Sequence, residues 1–410
     1  EVVVMGGVRR SAMISLSNLS DDRMRHAKSG NWWENASHRA LANNSVSYNN
    51  KPDSMAFMRE WTSLMESGSG ERGIFNRQAS IKQAGKNGRR DTNYEFGTNP
   101  CSEIILRPNE FCNLSEVVIR STDNIDDIAN KVRIATILGT IQSTYTNFPY
   151  LRKVWQTNTE AERLLGVSLT GIMDNPLMTL KNEGLSQTLE YLKNVAVTTN
   201  AEWAKHLGIP VSAAISCIKP SGTVSQLVDS ASGIHARHSP YYIRTVRGDN
   251  KDPLTQFMID QGIPNAPDVM KPDQTTVFSF PQKSPDGAVC TSNMSAIEQL
   301  EMWLMYQRHW TEHKPSVTIN VKPDEWFEVG AFVYKNFDEI SGVSFLPFNE
   351  HTYQQAPYQD CSKTDYKTLK SVMPISIDWT KLSEYELEDN TSGMQTMACS
   401  GDVCEMVDIT

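Results

Sequence analysis

Along the 410 residues, short β-branched or apolar runs take turns with longer segments of helical period. The runs fall at 1–5, 104–106, 116–119, 213–218 and 317–321. Between them, residues 54–67, 123–147, 184–207 and 295–310 carry apolar side chains at three- and four-residue intervals, and the second of these starts acidic. The 184–207 segment stops at Gly208, with Pro210 two residues on, which is the punctuation of a helix C-terminus. Strands too short to stand alone, separated by helices, imply an α/β architecture with a mostly parallel sheet, and a barrel is within reach.

Length allows two or three domains, or one large α/β barrel with insertions. Such a chain buries a sizeable core without disulfide staples. No run reaches 18 apolar residues, so no membrane span is expected. The net charge of −9 speaks against a broad nucleic-acid surface but leaves room for a local basic pocket. The first residues lack the features of a secretory signal, begin without Met and read as mid-strand. A fragment or processed chain, in the cytoplasm, is the expectation. Seven cysteines, at 101, 112, 217, 290, 361, 399 and 404, are odd in number and not spaced as a framework. Most should be reduced thiols, and any disulfide catalytic and transient. Cys217 reads as buried packing, and Cys290 and Cys361 as incidental.

Chemistry concentrates in five places. In Gly97-Thr98-Asn99-Pro100-Cys101-Ser102-Glu103, Pro100 restricts its neighbour to extended geometry and sets Cys101 at a constrained loop tip. On an extended segment, Cys101 and Glu103 share a face, bringing a thiol beside a general acid/base, with the Asn99 amide near. Cys112, in Phe111-Cys112-Asn113-Leu114-Ser115-Glu116, can fold back toward Cys101. Lys219-Pro220-Ser221-Gly222-Thr223-Val224-Ser225 follows an apolar run, where a parallel sheet presents loops to ligands; its hydroxyls and amides suit phosphate oxygens. His235, Arg237, His238, Arg244 and Arg247 form a basic stretch suited to anions or to a solvated face. Finally, Cys399 and Cys404 are separated by four residues with no His following, unlike a zinc half-site. A redox pair on a mobile arm, residues 381–410, is the better reading.

Together, Asn-Pro-Cys-Ser-Glu and Phe-Cys-Asn-Leu-Ser-Glu resemble the finger loop of ribonucleotide reductases, and Pro before the cysteine resembles the adenosylcobalamin-dependent (class II) branch. Colinear segments extend the likeness. Gly6-Gly7-Val8-Arg9-Arg10-Ser11-Ala12 is similar to a barrel-strand motif of that family, and residues 39–46, with Arg39, Asn43, Asn44 and Ser45, to its specificity loop. Residues 219–225 resemble its substrate-phosphate loop and residues 233–239 that loop's partner. Residues 351–358 resemble the monomeric, triphosphate-reducing subgroup.

The resemblance implies a ten-stranded α/β barrel over residues 1–380 and an activity, reduction of ribonucleoside triphosphates to deoxyribonucleotides. Adenosylcobalamin would be the cofactor, without a protein His ligand, since no Asp-x-His-x-x-Gly motif occurs. It also implies roles: Cys101 as the thiyl site that takes the 3′ hydrogen, Glu103 as acceptor of the 3′-hydroxyl proton, and Asn99 holding either. Cys112 would be one of two reducing thiols, and Cys399 with Cys404 the shuttle to a thioredoxin-like reductant. A deoxynucleotide effector is a further implied partner. The family's upstream cysteine, first strands and effector-binding insertion have no counterpart before Cys101. The barrel is therefore expected to be incomplete, with an N-terminal piece as partner. Rival readings are a class I-type large subunit fed by a partner's radical, a glycyl-radical enzyme, and a nucleotide-binding assembly fragment without chemistry. The absence of a terminal Tyr-Tyr pair weighs against the first of these.

Overall fold

A computed structural model of the chain describes residues 13–348 and 354–387. The expected strand at 1–5, the 6–12 motif, His351 and the tail pair Cys399 and Cys404 lie outside the described residues. A five-stranded sheet runs in the order Met13–Ser17, Ala42–Tyr48, Gly73–Asn76, Gly342–Pro347, Thr318–Val321. All its neighbours are parallel except the antiparallel pair Gly73–Asn76 and Gly342–Pro347. A second sheet joins Asn113–Val118, Leu165–Thr170 and Ser216–Cys217 in parallel, and a bridge from Ile218 to Pro315 links the two sheets. Eight strands thus follow one another. Among the described residues the outer strands, Met13–Ser17 and Asn113–Val118, do not pair, so the expected ten-stranded closure is not formed.

The order follows from burial. Every residue of Leu165–Thr170 is buried, as in a parallel strand covered on both faces. The helices Ile125–Gln142 and Leu185–Leu207 pack on each other, and the first also covers this sheet. Asn124 opens the first with a reciprocal capping box through Asp127, and Gly208 ends the second in the left-handed region at φ 67°. Ser295 and Glu298 cap Ala296–His309 in the same way. That helix inserts Trp303, and Trp310 follows it; both are wholly buried, their ring N–H groups donating to the Pro315 and Cys217 carbonyls at 2.8 and 2.9 Å.

A four-stranded antiparallel sheet, in the order Asn265–Pro267, Thr275–Lys283, Tyr241–Asp249, Tyr358–Asp360, was not legible as strands in the sequence. It takes in the basic residues Arg244 and Arg247. Beside it, Trp379 and Tyr385 pack on Phe257, each with ring centroids 5.4 Å away, so the chain up to Tyr385 stays against the body.

Candidate active site

The short antiparallel pair Gly97–Thr98 and Ile105–Leu106 forms a hairpin whose tip is Asn99–Ile104. The Ser102 N–H donates to the Asn99 carbonyl at 2.9 Å and the Ile104 N–H to Asn99 Oδ1 at 3.0 Å. The Asn99 carboxamide oxygen therefore braces the loop from inside. Ser102 stands at φ 63°, which breaks the extended geometry that would have put Cys101 and Glu103 on one face. The two separate: Cys101 lines a cleft, whereas Glu103 is fully buried behind it. They meet again at Lys219. Its Nζ lies 3.2 Å from Glu103 Oε1, and although burial alone would lower its pKa, Glu103 and then Cys101 hold it above the usual lysine range. Glu103 Oε2 is buried with no hydrogen-bond partner, an acceptor left open.

The cleft, about 440 Å³, is of the size that holds small-molecule ligands. Asn43, Asn44 and Ser45 form one wall, Pro100 to Ser102 a second, and Lys219, Pro220, Gly222 and Ser225 a third. Arg39 does not reach it; its guanidinium donates to the Ala27 carbonyl at 2.6 Å. Of the expected phosphate loop, Ser221 is buried behind the wall and Val224 is turned outward, 45% exposed; the Thr223 side chain lies outside the described set. Gly222–Leu227 is a short helix, so the Gly222, Thr223 and Val224 amides have no preceding helical carbonyl to donate to. Arg237 and His238 reach the cleft as the basic stretch suggested, beside Tyr242 and Tyr358. Arg244 instead stacks on the Tyr358 ring at 4.4 Å, and Arg247 pairs with Asp268 at 2.9 Å.

Cys112 sits against Gly166, where any Cβ would come within 3.3 Å of its sulfur. Burial, then the charges of Glu103 and Glu110, push its thiol well above the ordinary range, so it stays an S–H. Cys217 is wholly buried, as expected, and burial followed by the same Glu103 and then Cys112 raises its thiol too. Cys290 is buried and Cys361 half-exposed, both free.

Three elements of the site went unread in the sequence. The first is His313–Ser316 beneath the finger loop. The second is Glu116, in register with Ser168 and Cys217, whose Oε1 is buried without a partner. The third is the buried Asp174–Arg237 pair at 2.8 Å. A polar His-Lys-Pro-Ser run directly before an apolar strand was the available signal for the first.

No family model matches the chain. The fold is that of class II ribonucleotide reductase: a crystal structure of a B12-dependent (class II) ribonucleotide reductase superposes with a TM-score of 0.76 at 22% identity, covering 92% of this chain and 56% of that one. A class Id ribonucleotide reductase alpha subunit from Actinobacillus ureae aligns more loosely, with a TM-score of 0.55 and 12% identity over 82% of this chain and 70% of that one. In sequence the chain is similar to adenosylcobalamin-dependent ribonucleoside-triphosphate reductases. That of Lactobacillus gasseri is 28% identical over 90% of this chain and 52% of the relative, and that of Euglena gracilis 26% identical over 98% and 54%. The resemblance carried by the motifs thus holds over nearly the whole chain, and the chain spans about half the length of these curated relatives.

Proposed function

We propose that the chain carries the radical and substrate-holding part of an adenosylcobalamin-dependent ribonucleoside-triphosphate reductase. One observation bears most of the weight: Cys101 opens on a nucleotide-sized cleft, with Lys219 tying it to the buried Glu103 carboxylate. The chemistry of the lining fits the cofactor. His235, in the lining, engages the Ser232 carbonyl and the Thr318 N–H through its two ring nitrogens and so is held as a fixed part of the wall. The aromatic group Tyr242, Tyr358 and His238 offers an apolar flank on which an adenosyl group can rest. When bound, the cofactor supplies the radical that removes a hydrogen atom from the Cys101 thiol.

The residues then divide the work. The Cys101 sulfur takes the 3′ hydrogen of the ribose. Glu103 takes the 3′-hydroxyl proton on its open oxygen, with Lys219 balancing the charge. The Cys112 thiol, kept protonated, and a second thiol together give two electrons and two protons. One proton leaves with the 2′-hydroxyl as water, one hydrogen ends on C2′, and the two sulfurs join as a disulfide. Cys101 and Glu103 return the 3′ hydrogen and the hydroxyl proton. Asn43, Asn44 and Ser45 contact the base side, and the 219–225 turn, through the amides opening its helix, the triphosphate.

The second thiol, and the strands that would close the barrel, come in this reading from an N-terminal piece acting in the cytoplasm. Ile134, Leu138, Ile141 and Tyr145 support that arrangement. Spaced by four, three and four residues, they form an exposed apolar stripe, 38–74% accessible, on and just beyond the helix flanking the open edge strand Asn113–Val118. Among the described residues no helix is long and apolar enough to cross a membrane.

The test is deoxynucleotide formation by the chain, with and without adenosylcobalamin and an N-terminal piece supplied in trans. Cys101→Ser should abolish reduction while nucleotide affinity stays within a few-fold, and Glu103→Gln should slow it by roughly 10²–10⁴. Turnover retained in Cys101→Ser, or cofactor-independent turnover, overturns the reading.

A further inference from the structure

Residues 313–316, between the helix Ala296–His309 and the strand Thr318–Val321, track the finger loop one contact after another. His313 Nδ1 accepts from the Ile105 N–H at 3.3 Å while Nε2 meets the Leu165 carbonyl at 3.0 Å. Those partners set the proton on Nε2, and burial keeps the ring neutral by driving its pKa well below the usual histidine value. The Lys314 N–H donates to the Glu103 carbonyl at 3.0 Å, and its Nζ donates to Ser102 Oγ at 2.9 Å. Ser316 Oγ donates to the Cys101 carbonyl at 2.6 Å. Each residue of the tip from Cys101 to Glu103 is therefore held by this one segment.

Lys314 is the unusual member. It is 0% exposed, a wholly enclosed lysine, and lysines are seldom buried without a reason in the site around them. Its Nζ lies 4.7 Å over the Phe75 ring, and a Cβ on Gly342 would come within 3.3 Å of it, so the chamber is filled. The elements around it offer no charge from Phe75 or Gly342. His313 is neutral, and the finger loop brings Glu103, beyond which stands Lys219. Lys219 is half-exposed in the cleft and is committed to Glu103 Oε1. A second cation placed inside, on the loop's own residue 102, has no part in the roles assigned above.

We propose that Lys314 is a positioning residue that holds the Cys101–Ser102–Glu103 tip from beneath and acts as an enclosed second counter-cation for the Glu103 carboxyl. Enclosure pushes the amine down to about 7, and Glu103 opposes that shift. Near neutral pH the group passes from ammonium to amine. As an ammonium it favours the Glu103 carboxylate; as an amine it leaves that task to Lys219. The counter-charge beneath the finger-loop tip is thus tied to pH through a residue that never meets the substrate. The inference rests on the proposed reaction only where it concerns turnover, because the Lys314–Glu103 coupling is a property of the chain itself.

The coupling is read by NMR on the 410-residue chain labelled with ¹³C at lysine Cε, titrated from about pH 5.5 to 9. One resonance should titrate near 7, vanish in Lys314→Met, and move to lower pH in Glu103→Gln, where the opposing carboxylate is gone. No lysine titrating between about 6 and 8, or a midpoint unmoved by Glu103→Gln, overturns the inference. These results stand whether or not the chain reduces nucleotides. In the assembled enzyme, the pH profile of kcat should break near 7 and lose that break in Lys314→Met, with nucleotide affinity held within about threefold. An unchanged break overturns the positioning role even if the coupling is seen.

Discussion

Removing the Asp174 carboxylate tests whether the cleft wall depends on one buried ion pair. Asp174 accepts from Arg237 Nε and Nη2 at 2.8 and 2.9 Å, and its Oδ2 also accepts from the Ala231 N–H at 2.8 Å. Both side chains are buried, at 2% and 5% exposure, so the pair ties the turn after strand Leu165–Thr170 to the 230–238 stretch lining the cleft. Burial would lower the guanidinium pKa, but Asp174 holds it charged, and an arginine does not shed its proton when the partner goes. Breaking a buried pair from one side costs about 3–5 kcal/mol. Arg237 keeps Asp229 Oδ1 at 3.0 Å and the Tyr242 hydroxyl at 3.3 Å, which moves the expectation for Asp174→Ala to the low end, about 3 kcal/mol. That is more than a hundredfold in the folded-to-unfolded ratio. Urea unfolding followed by tryptophan fluorescence measures it. Asp174→Ala with Arg237→Met, which removes the stranded charge as well, should regain about half of the loss. A single-variant cost below about 1 kcal/mol, or a double variant that is merely the sum of its parts, refutes the reasoning.

Two further outcomes are expected. Glu110 and Glu162 share Arg90 in a buried cluster, where Glu162 accepts from Nη2 at 2.7 Å and Glu110 at 3.2 Å. Burial, then Glu162, pushes Glu110 up to about 9, so at neutral pH it is the protonated partner. Glu110→Gln should therefore cost under about 1 kcal/mol at pH 7, whereas Glu162→Gln, which strands Arg90, should cost about 3. Because the folded pKa is raised, the Glu110 contribution is complete below about 4.5 and is lost as pH rises through about 9. Urea midpoints at pH 6 and 9 should accordingly fall less in Glu110→Gln than in the parent chain, and an equal fall refutes the assignment. For the tail, Cys399→Ser with Cys404→Ser should spare a single turnover of pre-reduced assembled enzyme. It should nearly stop thioredoxin-driven cycling and leave dithiothreitol-driven cycling largely intact. Equal thioredoxin-driven rates in parent and variant would falsify the shuttle.

Much of this molecule is readable from local rules. The helices at 54–66, 125–142, 185–207 and 296–309 lie where periodicity and, for the third, Gly208 put them. Their signals lie within a few residues of each other. The colinear motifs also named part of the cleft lining, since Asn43 to Ser45, Cys101 and the 219–225 turn each occur as a contiguous run, whereas the lining from 69–74 and 342–346 went unread. Strands fared less well at their ends: the apolar run 213–218 yields only Ser216–Cys217 as paired strand, because pairing needs a neighbour.

Residue identity and short-range spacing alone therefore determined the α/β class, the helix ends and the loop that carries Cys101. Tertiary structure decided which groups face one another. It turned Glu103 behind the tip through the left-handed Ser102 and kept Arg39 out of the cleft. It also brought Lys314 under a loop 212 residues earlier in the chain. The physical reason is that a charge buried by its own chain takes its meaning from its partner. A lysine has the same letter whether it faces water or an enclosed carboxyl, and only packing fixes which it meets.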